Sequence, residues 1–324
     1  MQSSSALPVR QGVLYIAVAA TAWGTGGAVA AELYDVGGIG PISVSFWRFL
    51  TGLGLLLAAH LIRRLRRPER ALSLRATFAA DKRRGLITGI GLAVYQTAYF
   101  ASVQQAGLTV ATVVTLGLGP VLVTVGARIT LGEHTGLAGT AAVGSGVAGL
   151  VLLMGGADGS IGPDPFLGIG YALLSAVGHA GVTLLGRAAR RKNSGGTFEE
   201  TAIGFAVGTV CLLPMALLEG LLPDMERVAW ALGLLVYLGA VPTALAYALF
   251  FTGLGVVRAA TASVVTLVEP LTAAVIGIVV FGERLNMIVL TGIALLLFAV
   301  LFLAASRGAS RAVSPETPAP ENGH

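Results

Sequence analysis

"VVTLVEPLTAAVIGIVVFGERL", residues 264–285, is apolar enough to cross a membrane, yet it carries Glu269 and Pro270 side by side near its middle. A carboxylate is costly in hydrocarbon and a proline removes a helix hydrogen bond, so both at one depth mark an unusual helix. A related pattern stands 150 residues earlier. There Gly119-Pro120 and Gly132-Glu133 match Glu269-Pro270 and Gly282-Glu283 in register, and Phe100 falls on Phe250. At an offset of 154, Trp23-Gly24 falls on Val177-Gly178. One unit has been duplicated.

Composition agrees with a membrane class. The chain is 55% hydrophobic and 11% charged, where soluble domains hold about 25% charged residues. Glycine, at 45 of 324 residues, is about twice its ordinary share, as expected where helix backbones pack closely in lipid. The only cysteine, Cys211, excludes an intrachain disulfide and a cysteine metal cluster. About 20 apolar residues cross a bilayer, and ten runs qualify: 12–32, 41–61, 85–105, 107–128, 136–154, 166–186, 201–219, 230–252, 258–281 and 286–305. Arg10, the apolar run 12–27 and "AVA" at 28–30 mimic a secretion signal, but the run is long and nine more spans follow, so it is read as a retained first span.

Basic residues set the orientation. The stretch 63–84 holds nine of the 21 Lys and Arg, and 187–192 holds four more. With the N-terminus inside, 18 of the 21 lie on the cytoplasmic side, which places both termini there. The pI near 9.7 therefore reflects topology and not nucleic-acid binding. Five spans per half is an odd number, so the second half must lie upside down relative to the first, an arrangement known from transporters. The expected organisation is a cytoplasmic N-terminus at 1–11, a first five-helix repeat at 12–154, and an external linker at 155–165. A second repeat at 166–305 and a disordered cytoplasmic tail at 306–324 complete it. The fold class is all-α and integral to the membrane.

"WGTGGA" at 23–28, "FWRF" at 46–49, "YQTAYFAS" at 95–102 and the paired Pro and Gly-Glu positions together resemble the EamA-type drug/metabolite transporter superfamily. The resemblance covers about residues 12–305 and is nearest to the YddG-type exporters of aromatic and other amino acids. It implies ten helices in an inverted repeat, a central cavity and export from the cell across the inner membrane.

Glu269 is expected close to the midplane, where a carboxylate costs about 2.5–3.5 kcal/mol to insert. The surrounding Leu, Ile and Val outweigh that cost. Pro270 cannot bond the carbonyl of Thr266, so Thr266, that carbonyl and Glu269 are candidates to receive an ammonium group or a proton. A protonated Glu269 bonded to a neighbouring helix is the alternative. Pro120 and Pro270 are expected to act as kinks or hinges. Tyr171, Ser175 and His179 stripe one face of the sixth span; Thr21 and Thr25 stand at the equivalent positions of the first. Thr88, Tyr95, Tyr99 and Ser102 stripe the third span, where Gln96 adds an amide. Trp23, Thr25, Tyr95, Gln96, Tyr99, Ser175, His179, Tyr247, Thr266 and Glu269 form the candidate substrate-binding set, against a role in interhelical packing for each. Arg48 is read as an outer-surface partner of Glu32 and Asp35, with contact to a substrate carboxylate as the alternative. Glu133 and Glu283 are read as acids that open helices.

No Lys follows a Gly, so there is no P-loop and no ATP use by this chain. "GSGVAG" at 144–149 has no strand before it and is a packing cluster. His60, His134, His179 and His324 are too scattered for a zinc site, and neither a metal nor another cofactor is expected. The expected function is secondary transport of amino acids, possibly aromatic, or of similar small metabolites, with the bilayer as the other partner and either a monomer or a homodimer. Export of drugs is one alternative; a membrane-embedded enzyme or a channel is the alternative of another class.

Overall fold

The computed structural model describes residues 8–66, 81–131, 137–156, 162–190, 197–223, 225–257, 262 and 265–312. Among these no strand occurs. The helices are α1 (Val9–Gly37), α2 (Pro41–Arg66), α3 (Lys82–Leu131), α4 (Leu137–Gly156), α5 (Pro165–Arg190) and α6 (Thr197–Glu219). They continue with α7 (Val228–Gly239), a π-helical turn at Ala240–Leu245, α8 (Ala246–Leu254), α9 (Val268–Val279) and α10 (Met287–Ala312). Six helical segments among the described residues are long and apolar enough to span a bilayer, and 140–153, 268–279 and 287–302 are shorter apolar helices.

Helix α3 holds 50 residues and, if straight, would be about 75 Å long, more than twice a hydrocarbon core. It is not straight. The Tyr99 and Thr112 hydroxyls lie 2.9 Å apart although 13 residues separate them, a distance of about 20 Å along a straight helix. The chain reverses at Gly107, whose φ of 75° lies in the region that glycine enters without a Cβ clash. The two limbs correspond to the runs expected at 85–105 and 107–128.

Helices α3 and α5 share the most extensive contact, α10 packs on α4, α2 on α6, and α1 on both α8 and α9. Small residues set the closeness. A Cβ on Gly149 would lie 2.8 Å from the carbonyl oxygen of Gly292, and one on Gly292 would lie 2.7 Å from that of Gly149, so α4 and α10 cross backbone to backbone. The outward surface is apolar: Leu218 is 90% exposed and Val279 75%, as lipid contact allows and water would not.

Three elements depart from the sequence reading. The run 230–252 is interrupted by the π-helical turn, where Pro242 cannot donate a helix bond and the Thr243 hydroxyl donates to the Leu238 carbonyl at 2.9 Å. Helix α10 continues to Ala312, past Ser306 where the tail was expected to begin; 313–324 lie outside the described residues. In the ninth run a turn at Thr266 and Leu267 separates the helical Val265 from α9, which begins at Val268.

Two carboxylates pin helix ends that the sequence did not connect. Glu283 does not open its own helix. Its carboxylate accepts from the backbone N–H of Leu108 and, at 3.1 Å, of Thr109, the first turn after the Gly107 reversal. Glu219 accepts from Ile42 at 3.2 Å and Ser43 at 2.6 Å in the first turn of α2. Each satisfies amides that have no partner within their own helix and places a negative charge at the positive dipole end. Glu133 lies outside the described residues.

Candidate functional site

Helix α1 forms the spine of the site, and the glycines of "WGTGGA" decide what can approach it. A Cβ on Gly24 would fall 2.7 Å from the carbonyl oxygen of Glu269 and 2.8 Å from Cβ of Thr272, so α9 rests directly on α1 there. Gly26 faces Arg48, whose Nη1 is 3.4 Å from the position of a Cβ. A Cβ on Gly27 would run into the Tyr99 hydroxyl and Leu108. Three glycines on one helix thus admit three different neighbours.

Glu269 sits in the first turn of α9. That position sets its carboxylate at the positive end of the α9 dipole. Pro270 falls one residue later, where an N–H would have no helical partner, so the proline costs nothing there. The carbonyl of Thr266, expected to be free, instead accepts from the Glu269 N–H at 3.0 Å. The break in the helix replaces a kink.

Around Glu269 the structure gathers most of the candidate set. Glu269 is within electrostatic reach of Tyr95, Tyr99, Tyr247 and Arg48. Trp23 meets Tyr247 edge-on at 5.5 Å between ring centroids and Phe250 at 5.0 Å. The Thr25 hydroxyl lies 3.0 Å from that of Tyr237. Trp23, Thr25, Arg48, Tyr95, Tyr99, Tyr247 and Glu269 are all half-buried, as side chains along the expected central chamber would be.

His179 packs against Tyr95 at 5.1 Å between centroids, and its Cδ2 is 3.4 Å from where a Cβ on Gly119 would stand. Ser175 donates to the carbonyl of Tyr95 at 2.8 Å and is fully buried, so its hydroxyl ties α5 to α3 and is not available to a ligand. Thr21 is exposed and donates to the Ala17 carbonyl of its own helix, outside the expected interior stripe. Gln96 is 5% exposed, and its Nε2 has no hydrogen-bond partner among the described residues.

Arg48 departs from its favoured reading. It does not serve Glu32 and Asp35 at the surface; its guanidinium carbon stands 5.7 Å from the centre of the Phe100 ring, a cation–π contact on the inner side of α2. Phe100 was legible only as a repeat position. Tyr34 was missed: its hydroxyl donates to the Phe100 carbonyl at 2.9 Å and anchors the same region.

The sequence profile of the EamA-like transporter family matches residues 10–155 and, separately, 166–305. An uncharacterized transporter of Archaeoglobus fulgidus is 29% identical over 301 residues, covering 90% of this chain and 96% of that one. The uncharacterized transporter YwfM of Bacillus subtilis is 28% identical over 299 residues, covering 90% and 93%. A protein of known crystal structure superposes with a TM-score of 0.60 at 23% identity, over 94% of this chain and 99% of that one.

Proposed function

This chain belongs to the EamA-like transporter family, and on that premise we propose that it exports amino acids, aromatic ones among them, or similar small metabolites across the cell inner membrane. It is a multi-pass membrane transporter rather than an enzyme, and its cargo is a small molecule. The observation that carries the finer reading is Glu269 in the first turn of α9, its backbone resting on Gly24 of α1 next to Trp23, which meets Tyr247 edge-on. A carboxylate there receives an ammonium group, and aromatic walls suit a flat or apolar side chain.

Ten spans in two inverted five-helix repeats, with both termini in the cytoplasm, complete the proposal. The separate profile matches to 10–155 and 166–305 support the duplication, and the bias of basic residues supports the orientation. Alternating access then proceeds by one repeat rocking against the other around a site near the midplane. Labelling with an impermeant thiol reagent tests the orientation in a Cys211→Ala background. Leu222→Cys should react from outside and Asp81→Cys only after permeabilisation; equal reaction ends the inverted reading.

Flux in proteoliposomes tests the substrate. Saturable counterflow of a labelled amino acid, strongly reduced in Glu269→Gln, is the expected result. Counterflow of hydrophobic drugs alone, indifferent to Glu269→Gln, would replace amino-acid export with drug export.

A further inference from the structure

Two donors in the chamber have no acceptor. Among the described residues the Arg48 guanidinium makes neither a hydrogen bond nor an ion pair, although it carries five N–H groups in a fixed fork. The Gln96 Nε2 is buried and equally unsatisfied. Gln96 lies four residues before Phe100, so on α3 the two share a face, and Phe100 is the ring over which Arg48 stands. A buried donor left unmade costs about 1–3 kcal/mol, a cost the Gln96 amide bears; with the half-buried Arg48 fork standing over the same face of α3, the two point to an acceptor that arrives. The acceptor that suits a fork beside an amide is planar and anionic, and a carboxylate is both.

Glu269 restricts which anion fits. It lies within electrostatic reach of Arg48, and no hydrogen bond joins the two among the described residues. A doubly charged phosphate would be repelled by Glu269, whereas a carboxylate that carries its own ammonium group places each charge opposite its complement. We propose that Arg48, with the Gln96 amide, binds the substrate carboxylate, so that the chamber recognises a zwitterion held between Arg48 and Glu269. This rests on the amino-acid reading above and adds to it a specificity-determining residue and a required headgroup.

The test uses the purified full-length chain in detergent, with binding followed by calorimetry. The probes are L-phenylalanine, its methyl ester, phenethylamine and 3-phenylpropionate. Arg48→Gln should weaken L-phenylalanine by about tenfold or more and abolish binding of 3-phenylpropionate, leaving the ester and the amine unchanged. Glu269→Gln should do the converse, sparing 3-phenylpropionate alone. Arg48→Lys keeps the charge without the fork and should fall between wild type and Arg48→Gln. If Arg48→Gln does not purify as a single species, Gln96→Leu and Arg48→Lys must give the same selective loss of the two carboxylates.

Equal weakening of all four probes by Arg48→Gln, or wild-type binding of the ester as tight as that of L-phenylalanine, overturns the proposal and leaves amino-acid export standing. If neither these probes nor any of the twenty amino acids binds the wild type, both readings fall together.

Discussion

Pro120 lies inside α3, which continues unbroken to Leu131, and the Thr124 hydroxyl donates to its carbonyl at 2.8 Å. Pro270, at the same register of the second half, lies in the first turn of a helix that starts only at Val268. The residues that precede them differ as well: Gly119 in one, Glu269 in the other. Around Pro120, His179 of α5 lies against the bare Gly119; before Pro270, the backbone carbonyl of Glu269 lies against Gly24 of α1. A shared proline therefore does not dictate a shared backbone. The helix start that follows a turn carries the charged residue, and the unbroken helix carries a glycine in its place.

The largest test of that difference sets Glu269→Gln against His179→Asn. The first should cut flux by at least about tenfold, equivalent to about 1.4 kcal/mol, with the protein still monodisperse. The second should change it only a few-fold, because the imidazole packs on Tyr95 and Gly119. Equal losses would show that the surroundings of the two prolines handle substrate alike.

Next in size is the glycine pair. Gly24→Ala forces a methyl to 2.7 Å from backbone that cannot swing away, so overpacking should destabilise by about 1–3 kcal/mol. Gly119→Ala meets only a ring edge at 3.4 Å and should cost far less. Thermal unfolding in detergent separates them, and similar shifts would deny that α1 and α9 touch as described.

Pro270→Ala sharpens the backbone comparison. Restoring an N–H in the first turn of α9 leaves the Thr266 carbonyl with its present donor, so flux should fall only a few-fold. Pro120→Ala restores a donor inside a continuous helix and should stiffen α3 without changing substrate selectivity. The smallest expected effect is at Gly181, the counterpart of Gly27. No atom lies within 4 Å of a Cβ there, so Gly181→Ala should be neutral or stabilise α5 by up to about 1 kcal/mol, while Gly27→Ala disrupts the contact with Tyr99.

Much of the site was legible beforehand. Trp23, Tyr95, Tyr99, Tyr247 and Glu269 were named because polar and aromatic groups at membrane depth must face protein, and of these Trp23 meets Tyr247 edge-on. Ser175 was misread because a hydroxyl on the right face serves a neighbouring carbonyl as readily as a ligand. Arg48 was misplaced because Glu32 and Asp35 are near in sequence, and sequence distance says nothing about which side of α2 a long side chain takes.

The sequence by itself determined that the chain is an all-helical membrane protein built from a duplicated unit. Transfer to hydrocarbon is nearly additive over residues and charge bias is read locally, so composition and spacing suffice for both. Only the tertiary structure decided that α3 reverses on Gly107, that Glu283 caps Leu108 and Thr109, that α9 begins at Val268 beside Gly24, and that Arg48 turns inward over Phe100. Each of these joins residues far apart in the chain. Which helix faces meet is settled by the packing of the whole bundle, and no local pattern encodes it.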